Sequence, residues 1–109
     1  MQWIHLTEEG QLSQIIKQSE TKPQVIFKHS TRCSISSVAM QRLQKSTQPD
    51  GLDFYLLDLL SHRSISNKIV ETFQVHHESP QVLVIKNGEC IYDESHLGIS
   101  MKDIVQQAA

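Results

Sequence analysis

One cysteine lies in a setting that suits a reactive thiol. Cys33 follows the polar run His29-Ser30-Thr31-Arg32 and comes directly before Ser34. Polar neighbours indicate an accessible side chain, whereas an inert cysteine is usually packed among apolar groups. Since a thiolate is the attacking group in thiol–disulfide exchange, we predict that Cys33 is the catalytic residue.

The residue three positions after Cys33 is a serine, so the spacing is C-x-x-S rather than the C-x-x-C of a dithiol redox protein. A hydroxyl cannot attack a mixed disulfide, so an external thiol must complete the reaction. Ser36 is predicted either to hydrogen-bond the thiolate or to be an ordinary helix residue. Arg32 adds positive potential next to the sulfur. Both side chains are predicted to contact substrate.

The elements around Cys33 alternate between strand and helix in the order βαβαβαββα. Apolar runs and turn signals predict strands over 3–6, 24–28, 52–58, 81–86 and 89–93, and helices near 12–18, 34–45, 65–73 and 101–105. Cys33 then lies at a helix N-terminus, where the helix dipole and free N–H groups favour the thiolate. With an Asn87-Gly88 hairpin, the pattern predicts one α/β domain over residues 1–109, with a central mixed sheet flanked by helices.

A proline precedes the strand predicted over 81–86, in the run Glu78-Ser79-Pro80-Gln81. It is similar to the cis-proline that faces the reactive cysteine in thioredoxin-like proteins, where the backbone before the proline pairs with an extended substrate. We therefore predict that Ser79 and Pro80 bind substrate.

These motifs together resemble the monothiol bacilliredoxins, which are thioredoxin-fold proteins with a T-C-P-I-S type motif. The resemblance rests on the runs 27–36, 78–81 and 86–88 and spans nearly the whole chain. The resemblance implies that Cys33 removes bacillithiol from S-bacillithiolated proteins. It also implies that the small thiol is a co-substrate, that no cofactor is bound, and that Pro80 is the cis-proline. Arg32, and Ser34 in place of the usual proline, depart from the pattern. The residues themselves leave glutathione and coenzyme A open as the thiol.

Other candidate groups carry weaker signals. Adjacent His76 and His77 in a strand would point to opposite faces, so no metal site is predicted, and His77 is expected near the rim of the active site. Cys90 is predicted to be a packed small apolar residue rather than a resolving thiol. A non-catalytic interaction module is the alternative function. A thiol peroxidase ranks third because the expected proline spacing around Thr31 is missing.

The overall composition limits the partners. The chain has 109 residues, 39% hydrophobic residues, a formal charge of −2 and an isoelectric point near 6.3. Without a basic excess, nucleic acid and anionic membranes are not expected as partners. The first residues lack the pattern of a secretory signal, so we expect a cytoplasmic protein with both of its cysteines reduced. The expected partners are S-thiolated proteins and a small thiol.

Overall fold

A five-stranded mixed sheet forms the centre of the computed structural model, which describes residues 1–109. Its strands are β1 (Trp3–His5), β2 (Gln24–His29), β3 (Asp53–Asp58), β4 (Gln81–Lys86) and β5 (Glu89–Ser95), in the spatial order β1-β3-β2-β4-β5. The helices are α1 (Gly10–Gln18), α2 (Ser34–Lys45), α3 (Arg63–Phe73) and α4 (Met101–Ala108), with a short 3₁₀ turn at His96–Gly98. The predicted element order and the mixed sheet flanked by helices are confirmed.

Both faces of the sheet are covered by helices. On one face α1 and α3 pack over a core that includes Ile26, and on the other α2 and α4 pack over a core that includes Val25 and Phe27. Successive side chains of a strand point to opposite faces, so β2 contributes to both cores. This double burial explains why the central strands β2 and β4 are nearly continuous apolar runs in the sequence.

The hairpin between β4 and β5 has the predicted turn. Asn87 and Gly88 both have positive φ, at 52° and 79°, as a two-residue type I′ turn requires. None of the helices combines the length and apolar character needed to cross a membrane.

The topology brings two predicted site segments to one edge of the sheet. β1, β2 and β3 run parallel, so their carboxyl ends meet at one edge, and the chain leaves β2 there toward Cys33. β4 is antiparallel to β2, with Gln81 opposite Lys28. Extending this register by one residue sets Pro80 opposite His29, so the Ser79–Pro80 segment enters the sheet at the same edge.

Candidate active site

Cys33 ends a tight turn and begins a helix. Its N–H donates to the Ser30 carbonyl at 3.2 Å, and its own carbonyl accepts the N–H of Ser37 at 3.1 Å. Cys33 is the N-cap residue of α2, has extended backbone angles, and is half-buried. The predicted place of the sulfur at a helix N-terminus is confirmed, and its catalytic role stays a prediction.

Ser36 lies beneath the turn and not on its surface. The residue is completely buried, its Oγ accepts the Ser30 N–H at 3.0 Å, and the same Oγ lies 2.6 Å from His29 Nδ1. The expectation that Ser36 contacts substrate is therefore corrected, because the hydroxyl is committed to the protein interior. These two bonds tie the first turn of α2 to the end of β2, and so hold the turn that presents Cys33.

The protonation of His29 follows from this arrangement. Burial lowers the pKa of the imidazole, and nearby Asp58 opposes that shift. The ring is therefore neutral at neutral pH. Ser36 Oγ, which already accepts the Ser30 N–H, shares a second hydrogen bond with His29 Nδ1, and the tautomer of the ring sets the direction of that bond.

The other predicted substrate-binding residues flank this turn. Arg32 is exposed, and its guanidinium has neither a hydrogen bond nor an ion pair with the protein. The Ser79–Pro80 peptide bond is cis, Pro80 is buried, and its carbonyl accepts the His96 N–H at 3.0 Å. Ser79 Oγ is buried without a hydrogen-bond partner. Their contact with a substrate stays a prediction.

Exposed apolar side chains lie beside Cys33 on α2. Ile35 and Val38, one helical turn apart, are 41% and 43% exposed, and Leu97 in the 3₁₀ turn is 59% exposed. Arg42 Nη1 donates to the Leu97 carbonyl at 2.9 Å, which joins α2 to the 3₁₀ turn. An apolar surface of this kind suits a protein more than a polar metabolite.

The burial of a lysine is the feature that sequence reasoning missed. Lys28 is completely buried on the α1 and α3 face of β2, and its Nζ lies 3.3 Å from His77 Nδ1, which also lies 3.4 Å from Ser66 Oγ. Burial lowers the pKa of the Lys28 ammonium to about 8, while Cys90 and Asp93 act in the opposite direction. The available signal was the alternation within β2, in which Lys28 shares a face with buried Ile26.

His77 differs from its predicted setting. It lies in the irregular segment between α3 and β4, not in a strand. Burial lowers its pKa, and the positive charge of Lys28 acts in the same direction. The imidazole therefore joins this segment to β2 through Lys28, and no contact with Cys33 is seen. No group of three or more His, Cys, Asp or Glu side chains is placed to hold a metal ion.

Cys90 is packed into the fold. It is half-buried against the core under α1 and α3, and its Sγ donates to the Tyr92 carbonyl at 3.3 Å. Burial raises the pKa of this thiol to about 11. The prediction that Cys90 is a packed apolar residue is confirmed, and at neutral pH the thiol is protonated and a poor nucleophile.

Comparison with known proteins agrees with this geometry. Residues 4–104 match the family model described as monothiol bacilliredoxin BrxC. A solved protein with a thioredoxin fold is 30% identical, with a TM-score of 0.85 over 97% of this chain and 93% of its own. Malassezia sympodialis thioredoxin is 18% identical (TM-score 0.74; 99% and 92% covered), and Fasciola hepatica thioredoxin is 15% identical (TM-score 0.74; 94% and 97% covered). At this level of identity, the similarity between this chain and the two thioredoxins shows a shared fold alone.

Proposed function

Because this chain belongs to the monothiol bacilliredoxin family, we propose that it removes a low-molecular-weight thiol, bacillithiol, from mixed disulfides on proteins. The family and the thioredoxin fold support a thiol–disulfide redox function. The observation that carries the finer proposal is the position of Cys33 at the start of α2, combined with a second cysteine that burial keeps protonated.

The reaction proceeds in two exchanges. The Cys33 thiolate attacks the small-thiol sulfur of a protein mixed disulfide, and the protein thiolate leaves as the new disulfide forms. An external thiolate then attacks that disulfide and releases Cys33. No internal step replaces the second exchange, because Ser36 offers a buried hydroxyl where a dithiol enzyme has a thiol.

The surroundings of Cys33 suit a protein substrate. Exposed Ile35 and Val38 lie in the first two turns of α2, close in sequence to Cys33, and Arg32 offers an unpaired cation directly before Cys33. The Ser79–Pro80 segment enters the sheet at the same edge and is proposed to pair with the extended segment that carries the modified cysteine. The cytoplasm remains the proposed compartment, since the second exchange consumes a reduced thiol.

Intact-mass spectrometry tests the proposal. The reduced protein is mixed with a model protein that carries either a bacillithiol or a glutathione mixed disulfide. We expect a mass gain equal to the bacillithiol adduct, retained in Cys90→Ser and abolished in Cys33→Ser. If neither donor transfers its thiol and Cys33 resists alkylation at neutral pH, the domain is an interaction module instead.

A further inference from the structure

The segment that leads into the cis-proline is held in place by side chains. Residues 75–79 connect α3 to Pro80 and β4, and none of their backbone groups bonds to another backbone group. Gln81 supplies two local bonds, since its Nε2 donates to the His76 carbonyl at 2.9 Å and its Oε1 accepts the Glu78 N–H at 3.4 Å. A stretch with so few backbone bonds opens at low free energy. Side-chain contacts therefore decide where the 75–79 segment lies.

One of these contacts joins the 75–79 segment to the strand that leads to Cys33. Lys28 Nζ lies 3.3 Å from His77 Nδ1, and Ser66 Oγ of α3 lies 3.4 Å from the same nitrogen. Lys28 is the last residue but one of β2, five residues before Cys33, and His77 comes two residues before Ser79. The bond between Lys28 and His77 thus connects the two halves of the candidate site through the protein interior.

Lys28 is a buried charged group without an ion pair. The side chain is completely buried and forms no salt bridge, and its ammonium group has one hydrogen-bond contact, with His77. Because an ammonium group only donates hydrogen bonds, this bond requires His77 Nδ1 to accept. Lysine is almost never fully buried unless it is paired, and an uncharged side chain of similar length would avoid the cost. Stability alone therefore does not explain a lysine at this position.

We propose that Lys28 is a positioning residue for thiol exchange, which holds the 75–79 segment in place through His77 so that a protein substrate can pair beside Ser79. The inference rests on the proposed function, because the position of this segment matters only if an extended substrate docks there. Without the lysine, the segment leaves its position for part of the time, and only the remaining molecules accept a protein donor. Reaction of Cys33 with a small reagent needs no such pairing.

Two reactions of Cys33 separate positioning from a general effect on the thiol. The first is exchange with a model protein that carries a bacillithiol mixed disulfide, and the second is alkylation by iodoacetamide. In Lys28→Met we expect the second-order rate constant for exchange to fall about tenfold, the low end of what one hydrogen bond to a charged group is worth. The alkylation rate should stay unchanged. Lys68→Met, on the exposed side of α3, is the matched control and should keep both rates.

Variants of His77 test the route by which Lys28 acts. Asparagine offers an amide oxygen that accepts a hydrogen bond in the manner of Nδ1, whereas leucine offers no acceptor. We expect His77→Asn to keep most of the exchange rate and His77→Leu to slow exchange as much as Lys28→Met does. The double variant Lys28→Met/His77→Leu, which leaves no buried ammonium without a partner, should be no slower than Lys28→Met alone, because both changes remove the same contact.

The possible failures are distinguishable. A normal exchange rate in Lys28→Met, or equal slowing of exchange and alkylation, overturns the inference and leaves the proposed function intact. A double variant in which the two effects multiply also overturns it, because the two residues then act independently. If the unaltered protein does not exchange with the mixed disulfide, the proposed function fails and the inference fails with it.

Discussion

Replacement of Lys28 by methionine is expected to stabilise the protein at neutral pH. Burial lowers the pKa of the Lys28 ammonium from an ordinary value of 10.5 to about 8, and one pKa unit corresponds to about 1.4 kcal/mol. Holding a proton on the buried amine therefore costs about 3 kcal/mol well below pH 8. Methionine has an unbranched chain of similar length and no charge, so it removes that cost.

The sign of the pH dependence follows from proton binding in the two states. Between pH 8 and 10.5 the unfolded chain binds the lysine proton and the folded chain has released it, so the contribution of Lys28 to the stability of the unaltered protein rises with pH in this range. The variant also loses the hydrogen bond between Lys28 and His77, worth about 1 kcal/mol. The expected net gain of Lys28→Met is about 2 kcal/mol at pH 7, and well above pH 10.5 the lost hydrogen bond leaves a net loss of about 1 kcal/mol.

Urea unfolding of both proteins at pH 7 and pH 10.5 measures this difference. Burial raises the pKa of Cys90, Tyr55 and Tyr92, but these groups are present in both proteins, so their own contributions are common to the two. Lys68→Met on the exposed side of α3 is the control, expected within about 0.5 kcal/mol of the unaltered protein. A Lys28→Met variant that is less stable at pH 7, or equally more stable at both pH values, would refute the reasoning.

Two further outcomes are expected. Ser36→Ala leaves a buried backbone N–H and the His29 imidazole without a partner. We therefore expect the free energy of unfolding, measured with urea, to fall by about 1–3 kcal/mol, and thiol exchange at Cys33 to be slower. A variant with full stability and a normal exchange rate would contradict the role of Ser36 in holding the turn that carries Cys33. Iodoacetamide at pH 7 should alkylate Cys33 and spare Cys90, whose pKa burial raises to about 11; peptide mapping measures this, and rapid labelling of native Cys90 would count against its packed setting.

The parts of the fold that sequence reasoning predicted are those with local causes. The strand over 81–86 is an apolar run bounded by Pro80 and by the Asn87-Gly88 turn, and each of these signals acts within a few residues. The place of Cys33 at a helix start likewise follows from the change of pattern around it. Such features need no knowledge of what packs against them.

The site features that were missed depend on residues far apart in the sequence. Lys28 meets His77 across 49 positions, and its burial follows from the pairing of β2 with strands on both sides. The inward direction of Ser36 depends on His29, seven residues earlier, and the pattern of the helix alone allowed either orientation.

The buried hydroxyl at position 36 also affects how fast Cys33 is released from its small-thiol adduct after each turnover. A thiol at position 36 would attack the adduct on Cys33 within the same molecule, at a rate that does not depend on the concentration of free small thiol. Without it, the proposed release of Cys33 is bimolecular, and its rate rises in proportion to the free small thiol. The share of molecules that still carry an adduct would then report the supply of reduced thiol in the cell, so a depleted pool would leave the protein loaded and idle.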